Sequence, residues 1–229
     1  MEITFRIFLV IHIISGTTGL LAGTINILRK KGDKTHKLAG KFFLYSMLAV
    51  GFSAFVLSVL HPNYFLFIVG VFTIYMAASG DRYLRLKNIS ISQRPGIIDW
   101  ALTSFMAVFG MAFIGFGIYN LVKGNNFGIV LIVFGLVGLK FVKTDIKNFR
   151  GKSNVINFWL LAHLQRMIGA YIAALTAFLV VNGDALQDFL PTYVIWLLPT
   201  VLVVPFIFKW TNKFKLIKKS NTPEVGALS

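Results

Sequence analysis

Cysteine does not occur in this chain of 229 residues. Disulfides, thiolate metal sites and cysteine nucleophiles are excluded with it. Charge is scarce too: 14% of residues are Asp, Glu, Lys or Arg, against roughly 25% in soluble domains. Acidic residues are the scarcest, 8 against 23 Lys and Arg. There is no His-Glu-x-x-His run, no Walker or dinucleotide loop, and no pair of carboxylates inside an apolar stretch. Zinc-peptidase, nucleotide-binding and paired-carboxylate chemistries therefore have no footing. A cleavable leader is not expected, because Glu2 and a lone Arg6 make a poor basic region and the first apolar stretch overruns a signal core.

What fills the chain is apolar. Hydrophobic residues make up 56% of it and mean hydropathy is +0.75. A spanning helix needs about 20 mostly apolar residues, and seven stretches meet or approach that: 3–28, 38–60, 64–83, 97–122, 126–143, 156–181 and 191–210. The fifth is the weakest, short and ending in Lys140 and Lys143. The fold expected is an all-α polytopic membrane protein with a seven-helix transmembrane domain over 1–212. A disordered basic tail is expected over 213–229. Pro199 is read as the only mid-span proline.

Of the 23 Lys and Arg, 20 fall in the odd-numbered linkers, the helix ends beside them, or the tail. Only Arg6 and Lys123 lie on the other side, and Arg166 lies inside the sixth stretch. By the positive-inside rule this predicts an outer N-terminus and a cytoplasmic C-terminus, in a bacterial inner membrane. Trp100, Trp159 and Trp210 then anchor cytoplasmic helix ends, and Tyr64, Tyr119 and Tyr193 outer ones. The basic face is explained by orientation and attraction to anionic lipid. No helix-turn-helix, zinc-finger or stacking pattern points to nucleic acid. The partners expected are the bilayer, anionic lipid at the cytoplasmic face, and a membrane protein or a second copy of the chain.

The stretch around which the sequence is organised is His12-Ile-Ile-Ser-Gly-Thr-Thr-Gly-Leu-Leu-Ala-Gly23. On a helix His12, Gly16, Gly19 and Gly23 share one face. An ionisable imidazole is costly inside a bilayer and by default marks a functional site. The plainer reading is that the glycines admit a neighbouring helix, with His12 hydrogen-bonded across the contact. His163 repeats the combination over Met167, Ala170, Ala174 and Ala177, and His36 precedes Gly40 by one turn. His61, in the outer turn, reads as a solvated residue.

Arg166 adjoins His163, is buried by position, and cannot lose its proton. It needs an acceptor: helix carbonyls, Asp99, or an anionic ligand such as a haem propionate. Asp81, Asp99 and Asp145 all lie beside basic residues at cytoplasmic helix ends and read as interfacial ion pairs. Counting helical rise, His12 and His163 are expected to differ in depth by roughly 5–10 Å.

Several of these motifs together resemble the bacterial membrane-protein family of unknown function DUF2306. They are His12-x-x-x-Gly16-x-x-Gly19-x-x-x-Gly23, Lys34-Thr-His36-Lys-x-x-Gly40-Lys, Ser79-Gly80-x-Arg82, and His163 with Ala173-Ala174. The resemblance implies a polytopic inner-membrane protein and supplies no activity.

Three readings of function stand at this point. In the first, His12 and His163, with His36 as an extra ligand, hold haem b or serve a metal- or quinone-linked redox subunit. Arg166 would meet its propionates, and Gly16 and Gly19 would give the ring clearance. In the second, His12, Gln165 and Arg166 line the polar cavity of a small-solute or proton-coupled transporter. In the third, the polar residues only pack the helices of an accessory or assembly subunit.

Overall fold

The computed structural model describes residues 2–89, 92–183 and 192–217. Among them are seven α-helices: α1 (Glu2–Leu28), α2 (Lys34–Leu60), α3 (Tyr64–Tyr83), α4 (Ile97–Val122), α5 (Phe127–Phe149), α6 (Phe158–Val181) and α7 (Thr192–Phe214). The first six are long and apolar enough to cross a membrane. The fold is all-helical, and its only extended pairing among the described residues is one bridge between Val155 and Ile217.

Local signals explain most boundaries. Asp33 accepts from the His36 amide at 2.6 Å and starts α2 four residues before the apolar run, as an N-cap carboxylate does. Asn63 does the same for α3 through the Leu66 amide at 2.9 Å. Asp99, at the third position of α4, accepts from the Gly96 amide at 2.8 Å. Helix α5 runs past the expected residue 143 to Phe149. It does so because Lys140, Lys143 and Lys147 lie on its exposed face while Val142, Asp145, Asn148 and Phe149 turn inward. Helix α7 contains Pro205 as well as Pro199. A reading with Pro199 as the only mid-span proline is thus corrected.

Helix α3 is the most buried of the first six. It packs on α2, α6 and α4, while α1 leans on α2, α5 on α4, and α7 on α6. The core joins Met47, Phe72, Tyr75, Met106 and Ala170 with their neighbours. Outward-facing Ile3, Ile14, Leu21, Phe52 and Val108 are exposed, as lipid-facing side chains are. The α4–α5 hairpin closes on glycine: a β-carbon on Gly117 would stand 2.8 Å from the Gly128 carbonyl, and one on Gly135 would stand 2.7 Å from that of Gly110. Only backbones without side chains approach that closely.

Successive helices run antiparallel. At one end the Phe5 and His61 rings meet at 4.3 Å and Tyr64 lies 5.7 Å from Phe116. At the other, Arg82 pairs with Asp99, Trp100 packs on Phe149, and Lys31 sits over Trp210. That second end carries the odd-numbered linkers and nearly all the basic residues; it is the basic end below. Residues 214–217, at the start of the expected tail, pair with the α5–α6 linker: Ile156 N–H donates to Leu216 O at 2.8 Å. The rest of that tail, like Asp184 and Asp188 of the sixth linker, lies outside the described residues.

Candidate functional site

Four helices meet around one carboxylate. Asp145 of α5 is 1% exposed and Arg166 of α6 is 0% exposed. Arg166 Nη2 donates directly to Asp145 Oδ1. From α3, Tyr75 OH donates to Asp145 Oδ2 at 2.5 Å and Tyr83 OH to Oδ1 at 2.6 Å. From α4, Thr103 Oγ1 lies 3.2 Å from Oδ2. Asn148 Nδ2 donates to the Tyr83 hydroxyl at 3.2 Å. Arg166, Tyr75 and Tyr83 donate to the carboxylate, while the single Thr103 proton is shared with the Asp99 carbonyl, 3.0 Å away.

The guanidinium is held by rings as well as charge. Its carbon stands 4.5 Å from the centroid of Tyr83, 5.3 Å from Phe141 and 5.8 Å from Tyr75. This stacking suits arginine and not lysine. Room for it depends on Gly80, where an added β-carbon would come within 3.2 Å of Arg166 Cβ and 3.1 Å of Met167 Cε. Arg166 Nε and Nη1 have no hydrogen-bond partner among the described residues. A buried donor left unpaired costs about 1–3 kcal/mol, more when charged.

Toward the basic end lies a second pair. Arg82 binds Asp99 through both nitrogens, Nε to Oδ1 at 2.8 Å and Nη2 to Oδ2 at 3.0 Å. Between the two pairs is a cavity of ≈ 10 Å³ lined by Ser79, Arg82, Tyr83, Asp99, Thr103 and Asp145, about the space of one water. The polar groups thus step inward from a partly exposed arginine to the fully buried one.

The expectations for these residues divide. Arg166 is buried as foreseen, but its acceptor is Asp145, and Asp99 binds Arg82 instead. Asp145 does form an ion pair, but as a core residue and not at an interface. The readable signal was helical phase. Gly128, Leu131, Gly135, Gly138, Val142, Asp145 and Phe149 are the buried stripe of α5, and Asp145 keeps its spacing while the three lysines do not. Tyr75, Tyr83, Thr103 and Asn148 were missed, since each reads as an ordinary polar residue until the helices are assembled.

The histidines lie elsewhere. His12 Nδ1 is 3.0 Å from Ser53 Oγ on α2, and the Ser53 hydroxyl is itself 2.7 Å from the Ala49 carbonyl. Serine therefore accepts and His12 donates. Gly16, Gly19 and Gly23 face side chains: Val50 at 3.9 Å from a Gly16 β-carbon, Met47 against Gly19, and Tyr171 and Phe43 against Gly23. His163 Nδ1 donates to the Gly80 carbonyl at 2.8 Å. His36 lies within electrostatic reach of His163 and Lys31. With its amide nitrogen turned toward α2, Asn26 reaches His36 Nδ1 at 3.2 Å.

Depth separates His12 from His163. Ala54, next to Ser53, packs on Gly70, and Gly80 lies ten residues nearer the basic end of α3. At about 1.5 Å per residue the two imidazoles differ by roughly 15 Å along the bundle before lateral offset is added. That separation exceeds the roughly 5–10 Å expected. Two axial bonds of about 2 Å each do not bridge that gap. Among the described residues no three His, Asp or Glu side chains converge as metal ligands.

Compared with protein-family models, curated proteins and solved structures, the chain matches none.

Proposed function

We propose that this chain is a multi-pass protein of the bacterial inner membrane, seven spans with its N-terminus outside, that moves a small solute or anion coupled to protons. The observation that carries the reading is the Arg166–Asp145 pair, 0% and 1% exposed, joining α5 to α6 and bonded by side chains of α3 and α4. Ionisable groups at such a place are expensive and mark ion or substrate pathways. Asp145 is the group that exchanges a proton, and Arg166, with Nε and Nη1 unpaired, is the anion handle. The bundle described is its closed state. Movement of α5 against α6 separates the charges, and the anion replaces Asp145 on the guanidinium. The Arg82–Asp99 pair and the small cavity behind it form the cytoplasmic approach.

The orientation rests on 20 of 23 basic residues gathering at one side. Kinship with DUF2306 is part of the proposal and rests on the His12, His36, Gly80 and His163 motifs. A haem-b role is ranked behind transport. In its favour, the bond to Gly80 O puts the neutral His163 proton on Nδ1 and leaves Nε2 bare, the form that binds iron.

The test is proton flux into pyranine-loaded vesicles containing the full chain, with chloride, phosphate or lactate as the imposed anion gradient. Anion-dependent flux by the wild type, lost in Asp145→Asn, is expected. No flux with any of the three, or full flux in Asp145→Asn, overturns the reading.

A further inference from the structure

A second site lies away from the buried network, where α1 and α7 end side by side. Their basic ends enclose an open cleft of ≈ 420 Å³, within the usual size of a ligand pocket. Arg29, Lys30, Lys31, Lys209 and Lys213 line it over a floor that includes Trp210. No carboxylate is among the described residues lining it. Asp33 stands 3.8 Å from Arg29. Three other cations of this end have partners of their own: Arg82 pairs with Asp99, Arg85 with Asp81, and Lys87 sits over the Trp159 ring.

Lys31 is fixed in place. Its ammonium donates to Asn26 O at 2.6 Å, Ile27 O at 2.9 Å and Arg29 O at 3.1 Å, and stands 3.7 Å over the Trp210 ring. Burial lowers it from the ordinary lysine value. It closes the last turn of α1 and joins that helix to α7. Lys30, Lys209 and Lys213 remain exposed around it. Several like charges at one concavity repel one another unless an anion joins them.

We propose that this cleft binds the phosphodiester headgroup of an anionic membrane lipid. The shared chemistry is a phosphate among lysines, and the surroundings select the lipid source. Tryptophan and lysine together mark the headgroup level of a helix. Beside the cleft, Leu28 and Phe208 are 76% and 64% exposed, an apolar surface on which acyl chains lie once the headgroup is seated. Basic pockets between spanning helices are where such headgroups bind. The site does not depend on the transport reading.

The test is thermal denaturation of the full chain in neutral detergent, titrated with dioleoyl phosphatidylglycerol, dioleoyl phosphatidylcholine or glycerol 3-phosphate. Saturable stabilisation by phosphatidylglycerol alone is expected. Lys209→Gln with Lys213→Gln should weaken it roughly thirtyfold. Lys147→Gln with Lys152→Gln, the same charge change outside the cleft, should leave it intact. Equal loss in both pairs means diffuse surface charge and overturns the site. An equal response to glycerol 3-phosphate overturns the lipid as its source. If the first pair fails to fold, photoactivatable phosphatidylglycerol is cross-linked to the wild type. Adducts in 27–31 and 206–214 support the cleft, and adducts only elsewhere overturn it.

Discussion

Asp145 and Arg166 are ion-paired across α5 and α6 with almost no exposure, 1% and 0%. Removing one partner strands the other in an apolar interior, which costs about 3–5 kcal/mol, whereas replacing both by apolar residues is often neutral. Arg166→Leu and Asp145→Leu alone should each lower the unfolding midpoint in detergent strongly. The double variant should recover most of the loss while remaining inactive in flux. Equal damage in singles and double would show that the two residues are not coupled.

Tyr83 joins Asp145 to Asn148. Tyr83→Phe keeps the ring under Arg166 and removes one hydroxyl, leaving Asn148 without that acceptor. A loss of about 1–3 kcal/mol is expected, measured as a shift in thermal midpoint. An unchanged midpoint would place the stabilisation in the ring alone.

Gly19 faces Met47. Gly19→Leu pushes a branched side chain into that contact, and overpacking costs typically about 1–3 kcal/mol. Pairing it with Met47→Ala makes room and should restore part of the stability. If Gly19→Leu alone behaves as wild type, the packing of α1 on α2 is wrong.

Orientation can be read with single cysteines, because the chain has none of its own. Exposed Asn125 replaced by cysteine should react with an impermeant maleimide on intact cells. Replacements of exposed Asn88 and Lys152 should react only after lysis. The opposite pattern reverses the topology.

The visible spectrum separates the two histidine clusters. Under the transport reading the purified protein is colourless. A haem band abolished by His163→Ala but kept by His12→Ala would place a cofactor at the basic end and revive the redox reading there. Loss in both variants would contradict their separation in depth.

The helices could be read from sequence because length and hydropathy govern spanning segments, and a basic linker or a cap marks where each stops. The seam between α4 and α5 was also readable, as Gly110 and Gly117 repeat the seven-residue spacing of Gly128 and Gly135. Of the two readings of the histidine-and-glycine face of α1, the structure matches the plainer one: the glycines meet side chains of α2 and α6, and His12 bonds Ser53 across the contact. Sequence shows that such a face is narrow, and not what fills it. Arg166 announced that it needed an acceptor, but the identity of that acceptor depends on which helices become neighbours. α5 reaches α6 only through the way both pack around α3, a relationship between distant segments that no local spacing records.

Asn157 has a further consequence. Its side chain is buried, its amide nitrogen donates to Phe214 O at 2.5 Å, and its carbonyl oxygen accepts from the Leu216 amide at 3.0 Å. Both bonds go to residues that leave the ribosome more than fifty positions later. Until then the amide has no such partners, so the junction ahead of α6 is provisional while the rest of the bundle is already being inserted. Seating of the last described helix acts as a latch that closes late. A chain cut short before Phe214 keeps the six earlier helices and still leaves that latch open, so the segment 214–216 governs how firmly the junction ahead of α6 is locked.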